Sequence, residues 1–99
     1  MLLIRDIMYC KPGKVRPMVE KFLAMKKFGE KKGMGKMRVL TDLSAERYWT
    51  VVSEIEVASL EEFMAMTQGS GDAKEFGEIM KGYHDLVDHG RREIYTVEG

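Results

Sequence analysis

Two extended runs lie back to back in the middle of the chain, 36–43 and 48–57, and each is flanked outward by a helix-periodic run and a further extended run. This alternation between a two-residue and a 3.6-residue period constrains the fold more than any other feature. Extended segments must share a sheet to satisfy their backbone, and amphipathic helices must bury their apolar stripe against it. The order read along the chain is βαββαβ.

The outer strand candidates are Leu2 to Tyr9 and Arg92 to Val97. The first is apolar on both alternating sets except at Arg5 and Asp6, the pattern of a central strand covered on two sides. Lys11-Pro12-Gly13-Lys14 ends it. Pro17 is compatible only with the first turn of a helix, where no N–H is needed, so a helix starts near Lys14. Val15, Met18, Val19, Phe22 and Met25 give its apolar stripe, and Gly33-Met34-Gly35 ends it. Ser44-Ala45-Glu46-Arg47 has the length of a hairpin loop, so 36–43 and 48–57 pair antiparallel. Ser59-Leu60-Glu61-Glu62 has the Ser-x-x-Glu spacing of a capping box. Gly69-Ser70-Gly71 breaks the helix that follows, Asp72 with Glu75 offers a second cap, and Phe76, Ile79, Met80, Tyr83 and Val87 form a further stripe.

Residues 1–99 therefore read as one α+β domain of ferredoxin-like order with a four-stranded antiparallel sheet. Apolar residues make up 44% and charged residues 32%, a globular balance, and no apolar run approaches the roughly 20 residues of a membrane helix. The start of the chain lacks the basic-then-apolar plan of a secretory leader, and a lone cysteine, Cys10, forms no internal disulfide. The expected location is the cytoplasm.

Charge is balanced overall but unevenly laid out: residues 11–38 carry ten Lys or Arg against Glu20 and Glu30, a local charge of +8. Two readings stay open, an anion or nucleic-acid patch around Lys26, Lys27, Lys31, Lys32 and Lys36, or a solvated helix face that meets the acidic remainder of the same or a second chain.

A sheet with its helices on one face leaves the other uncovered. Trp49, Val51, Ile55 and Val57 fall on one side of the third strand and Tyr48 and Val52 on the other, so both faces carry apolar groups. A hydrophobic sheet face marks an interaction site, and the expectation is a homodimer through that face.

Tyr9-Cys10-Lys11-Pro12-Gly13-Lys14, Tyr48-Trp49-Thr50-Val51-Val52-Ser53-Glu54 with Ser59-Leu60-Glu61-Glu62-Phe63, and Leu86-Val87-Asp88-His89-Gly90-Arg91-Arg92-Glu93-Ile94-Tyr95 resemble the dimeric α+β barrel superfamily, particularly its NIPSNAP-like and antibiotic-biosynthesis-monooxygenase-like branches. The resemblance implies two sheets from two protomers closing a barrel, with a pocket between each sheet and its own helices. It also implies a range of functions: cofactor-independent oxygenation of polycyclic phenols, heme degradation, isomerisation, or none assigned. The heme-degrading members use an asparagine, a tryptophan and a histidine. This chain has Trp49 but no asparagine, and no histidine in 59–68, which counts against that chemistry.

The densest proton-handling cluster is Gly82-Tyr83-His84-Asp85-Leu86-Val87-Asp88-His89. On a helix His84 sits at the margin of the apolar stripe with Asp88 one turn on, where the carboxylate would orient the imidazole as a general base. The bland alternative is a boundary histidine partly covered by packing. Asp6 is a carboxylate within the most apolar strand, either an acid-base group or the partner of an arginine. Tyr9, Tyr48, Trp49 and Tyr95 are candidates to line a pocket for a flat aromatic ligand, or to pack in the core or dimer interface. A metal site of His84, Asp88 and His89 is not expected, because two histidines five apart do not share a helical face, and no cofactor is expected either.

Three function classes follow. One is a small-molecule-binding barrel, with a cofactor-independent monooxygenase-like reaction on an aromatic or polyketide-like substrate as its enzymatic form. Another is a non-catalytic dimeric module. The third, RNA binding, shares the element order, but Arg47-Tyr48-Trp49-Thr50-Val51-Val52-Ser53-Glu54 lacks the glycine of the RNA-recognition strand and ends on a carboxylate, so nucleic acid ranks last.

Overall fold

The computed structural model describes residues 1–33, 35–68 and 73–99. Strand β1 (Leu2–Cys10) leads through Lys11-Pro12-Gly13-Lys14 into helix α1 (Val15–Lys31), followed by β2 (Met37–Thr41) and β3 (Thr50–Val57). Helices α2 (Leu60–Gln68) and α3 (Ala73–Met80), a short 3-10 turn at Tyr83–Asp85 and strand β4 (Val87–Thr96) complete the chain. The four strands form one antiparallel sheet in the order β2-β3-β1-β4, the ferredoxin-like arrangement, with β1 central as its double-sided apolar pattern requires.

Pro17 occupies the third residue of α1, within the first turn, where its missing N–H has no intrahelical acceptor to lose. Met18, Val19 and Phe22 of α1 are buried against Cys10 and Val51, and Met8, Met25, Met37 and Val39 pack around them. A second cluster joins Ile4, Val57 and Phe63, so α2 covers the far end of the same sheet face. The capping box forms with one change of partner. Ser59 Oγ accepts the Glu62 N–H at 3.2 Å, while the Glu62 carboxylate accepts the N–H of Ala58, one residue ahead of the cap, at 3.0 Å.

Several sequence expectations need correction. The helical stripe through Tyr83 and Val87 is not continuous: α3 stops at Met80, Gly82 turns left-handed at φ 82°, and Val87 already belongs to β4. The last strand thus begins five residues before Arg92 and pairs with all of β1. Tyr48 and Trp49 are not in the third strand. The Asp42 carboxylate accepts the Thr50 N–H at 2.9 Å and closes the hairpin at its base, leaving 42–49 as the loop. The break at 69–71, the Asp72 cap and Met34 lie outside the described residues.

The uncovered face is both apolar and charged. Val51, Ile55 and Val57 face the helices, while Val52 shares the open face with Leu3, Ile7 and Leu40 and with a row of charged residues. Register places Arg38, Glu54, Arg5 and Glu93 side by side across β2, β3, β1 and β4. Glu54 is only 5% exposed and is held between two guanidiniums, Arg5 Nε at 2.9 Å and Arg38. Burial alone would push its carboxyl up, but the hydrogen bonds and charges of Arg5 and Arg38 outweigh that and hold it below the usual carboxylate value. No described helix is long and apolar enough to cross a membrane.

Candidate functional site

A cleft of about 370 Å³ lies on the helix side of the sheet, where β1 and the edge strand β4 meet the 3-10 turn. Its floor is Asp6 and Met8 of β1 with Gly90 and Arg92 of β4, and Tyr83, His84 and Val87 close one side. This volume is within the range of small-molecule sites. Asp6 and His84, 78 positions apart, come to it because β1 runs beside β4 and the 3-10 turn immediately precedes β4. Gly90 is required there: a Cβ at that position would stand 2.7 Å from Met8 Sδ and 2.9 Å from the Ile7 carbonyl oxygen, so only glycine lets β4 approach β1 this closely.

Asp6 is tied by Arg92, whose Nε donates to Oδ1 at 2.6 Å and whose Nη2 donates to Oδ2 at 3.4 Å. The guanidinium also lies 5.0 Å from the centre of the Phe63 ring, which fixes its plane. The carboxylate is thus oriented and charge-compensated within the cleft. His84 stacks on Tyr83 with ring centres 4.0 Å apart. Its expected partner, Asp88, is elsewhere. With the helix ended by Gly82, Asp88 is a strand residue whose carboxylate meets His89 Nδ1 at 3.2 Å and Arg47 at 3.9 Å. Asp88 does line the cleft, as does His89, but it does not orient His84.

None of the four aromatic candidates lines this cleft. Tyr9 is buried at one end of the open face, with the Arg47 guanidinium 4.7 Å from its ring centre and the His89 ring at 4.8 Å. Tyr95 stands farther along that face, half-exposed, its hydroxyl donating to Glu93 at 2.9 Å. That bond, with some desolvation, raises the Tyr95 pKa. Tyr48, 85% exposed, and Trp49, 45% exposed, project from the β2–β3 loop. The tyrosine that does border the cleft is Tyr83, read from sequence in a helical stripe and in the 82–89 cluster but not as a ligand-binding ring.

Arg92 and Gly90 were not singled out in the sequence as site residues, and only the register of β4 on β1 brings them to the cleft; Tyr83 comes to it through the 3-10 turn. Cys10 is buried in the main core, which pushes its thiol pKa up and leaves it a packing residue. Among the described residues, no group of three His, Cys, Asp or Glu is placed to hold a metal. The basic run of α1 is partly structural: Lys21 Nζ donates to the Lys81 carbonyl at 2.5 Å and so tethers the end of α3.

No protein-family model matches the sequence, and no curated protein is significantly similar to it. Solved structures match over nearly the whole chain. A NIPSNAP domain protein from Burkholderia xenovorans superposes with a TM-score of 0.73 at 14% identity, over 98% of this chain and 94% of its own. A NIPSNAP family protein from Agrobacterium tumefaciens gives 0.76 at 11% identity, over 96% and 90%. A candidate antibiotic biosynthesis monooxygenase from Nitrosomonas europaea gives 0.74 at 13% identity, over 100% of both chains. At these identities the likeness is one of fold. The chain has the α+β fold shared by NIPSNAP domain proteins and antibiotic-biosynthesis-monooxygenase-like proteins.

Proposed function

We propose that the protein binds a small, flat organic molecule in the cleft between β1, β4 and the 3-10 turn, and that His84 takes a proton from it. The observation that carries this reading is the convergence of Asp6 and His84 on one cleft of suitable size. An oriented Asp6–Arg92 pair gives a substrate hydroxyl or carbonyl both an acceptor and a donor, while Tyr83, Met8 and Val87 supply apolar contact. In the oxygenase form, deprotonation at a carbon between acidifying groups yields an anion that is oxidised by dioxygen. A CH2 becomes C=O, four electrons pass to O2, and the second oxygen leaves as water, so no cofactor is needed for balance.

The proposal extends to a homodimer through the open face, where Leu3, Ile7, Leu40 and Val52 lie beside a charged row. Arg38, Glu54, Arg5 and Glu93 alternate in sign across the sheet. A two-fold axis parallel to the strands, midway between β3 and β1, sets every guanidinium opposite a carboxylate of the second copy. A cytoplasmic setting fits the single buried cysteine.

One observation favours the non-catalytic reading. Arg92 already occupies the Asp6 carboxylate, which is how a purely structural pair would look. Native mass spectrometry and thermal shift with a panel of polycyclic phenols separate the two readings. Binding that is lost in Met8→Trp, a substitution filling the cleft, supports the ligand site. A panel in which no compound binds the parent overturns it.

A further inference from the structure

We propose that His89 operates a pH-sensitive latch that fastens the β2–β3 loop to β4.

Arg47, in the loop, points Nη1 at His89 Nε2 over 2.9 Å. A guanidinium only donates, so Nε2 must be the accepting, unprotonated nitrogen. The ring proton is then on Nδ1, where it donates to the Asp88 carboxylate at 3.2 Å. The arrangement demands a neutral imidazole in one tautomer. Arg47 also lies over the Tyr9 ring, and its Nη2 is 3.9 Å from Asp88. These contacts are the side-chain fastening of the loop tip.

Protonation of His89 puts an N–H on Nε2, opposite a group that has only donors. The Arg47 hydrogen bond is lost and two positive charges face each other, while the imidazolium keeps the Asp88 carboxylate to itself. The other groups around the ring do not reverse this. Tyr9, from β1, is neutral; Arg91, from β4, is a further cation 6.0 Å from the Tyr9 ring centre and is held by Glu93 at 3.2 Å. Across the cleft stand His84 and the Asp6–Arg92 pair, whose charges cancel. Acid therefore releases Arg47.

The loop is built to respond. Trp49 is held at φ 62°, a conformation that bulky side chains rarely adopt, and it is the one non-glycine residue at positive φ among the described residues. Its carbonyl accepts the Cys10 N–H at 2.8 Å and the Arg47 carbonyl accepts the Thr50 hydroxyl at 2.8 Å, so displacing Arg47 works directly on the segment that constrains Trp49.

Trp49 is the only tryptophan and reports on the loop without any ligand. Its fluorescence should change in one acid transition as His89 takes up its proton. The transition should vanish in His89→Gln, whose amide keeps one acceptor and one donor, and should survive in His84→Gln. Arg47→Ala should show the acid-form signal across the whole range. A transition that persists in His89→Gln overturns the latch, as does a nitrogen-detected NMR spectrum of the parent protein placing the neutral His89 proton on Nε2. Neither readout needs a ligand, so failure of the cleft to bind anything would leave these tests decisive for the latch alone.

Discussion

Arg92 clasps Asp6 across the β1–β4 pair, Nε 2.6 Å from one carboxylate oxygen and Nη2 3.4 Å from the other, on the floor of the cleft. The arginine side chain is about half exposed and the aspartate a quarter, so solvent screens the pair and its net stability is small. Asp6→Asn should therefore lower stability by no more than about 1 kcal/mol while weakening ligand binding at least tenfold. A urea melt beside a binding titration checks both. A loss of several kcal/mol with binding intact would make the pair purely structural.

Glu54 should behave in the opposite way. Its side chain is buried between Arg5 and Arg38, so Glu54→Gln removes the charge that balances two guanidiniums in the middle of the open face. The cost should be about 2 kcal/mol at neutral pH, below the range for fully buried pairs because both arginines keep access to water. The folded-state pKa is depressed relative to the unfolded chain. These ion pairs therefore contribute fully above the ordinary glutamate value of about 4.3, and the contribution is lost as pH falls through the lower folded value. The difference between parent and variant in denaturant melts should be large at pH 7 and shrink in strong acid.

At the start of α2, Ser59→Ala should cost roughly 1 kcal/mol, and Glu62→Ala a similar or smaller amount, since the first leaves the Glu62 N–H of the first turn and the second the Ala58 N–H ahead of the cap without its acceptor. Thermal melts read by circular dichroism test this. Ligand affinity should not move, because neither residue borders the cleft.

This cap was legible in the sequence because it is local: a serine, a glutamate three residues on, and an apolar run. The same holds for Pro17 in the first turn of α1 and for the central place of β1. What was not legible depends on register or on a single dihedral. Phe76, Ile79, Met80, Tyr83 and Val87 satisfy a helical period, but Gly82 in the left-handed region converts the end of that stripe into a 3-10 turn and a strand. That one residue separates His84 from Asp88. Likewise Tyr48 and Trp49 look like strand residues until Asp42 closes the hairpin on Thr50. The polar row on the open face was present in the pattern, as Arg5 and Glu54 near the middle of apolar strands, but only the pairing of β1 with β3 and β4 shows that the charges meet.

His84 separates enzyme from binding module. It is exposed at the margin of the cleft, with its ring centre 4.0 Å from that of Tyr83, and Asp88 does not orient it. His84→Gln should therefore leave stability within about 0.5 kcal/mol of the parent, as surface substitutions do. If the imidazole accepts the substrate proton, the same change should lower turnover by at least a hundredfold, the usual share of a general base. Parent turnover should climb with pH as the imidazole loses its proton, and that limb of the profile should disappear in the variant. Ligand affinity should fall by only a fewfold, because Asp6, Arg92 and the apolar wall remain. Turnover within a fewfold of the parent, with the pH limb retained, would remove His84 as the base. The cleft would then remain only as a binding site.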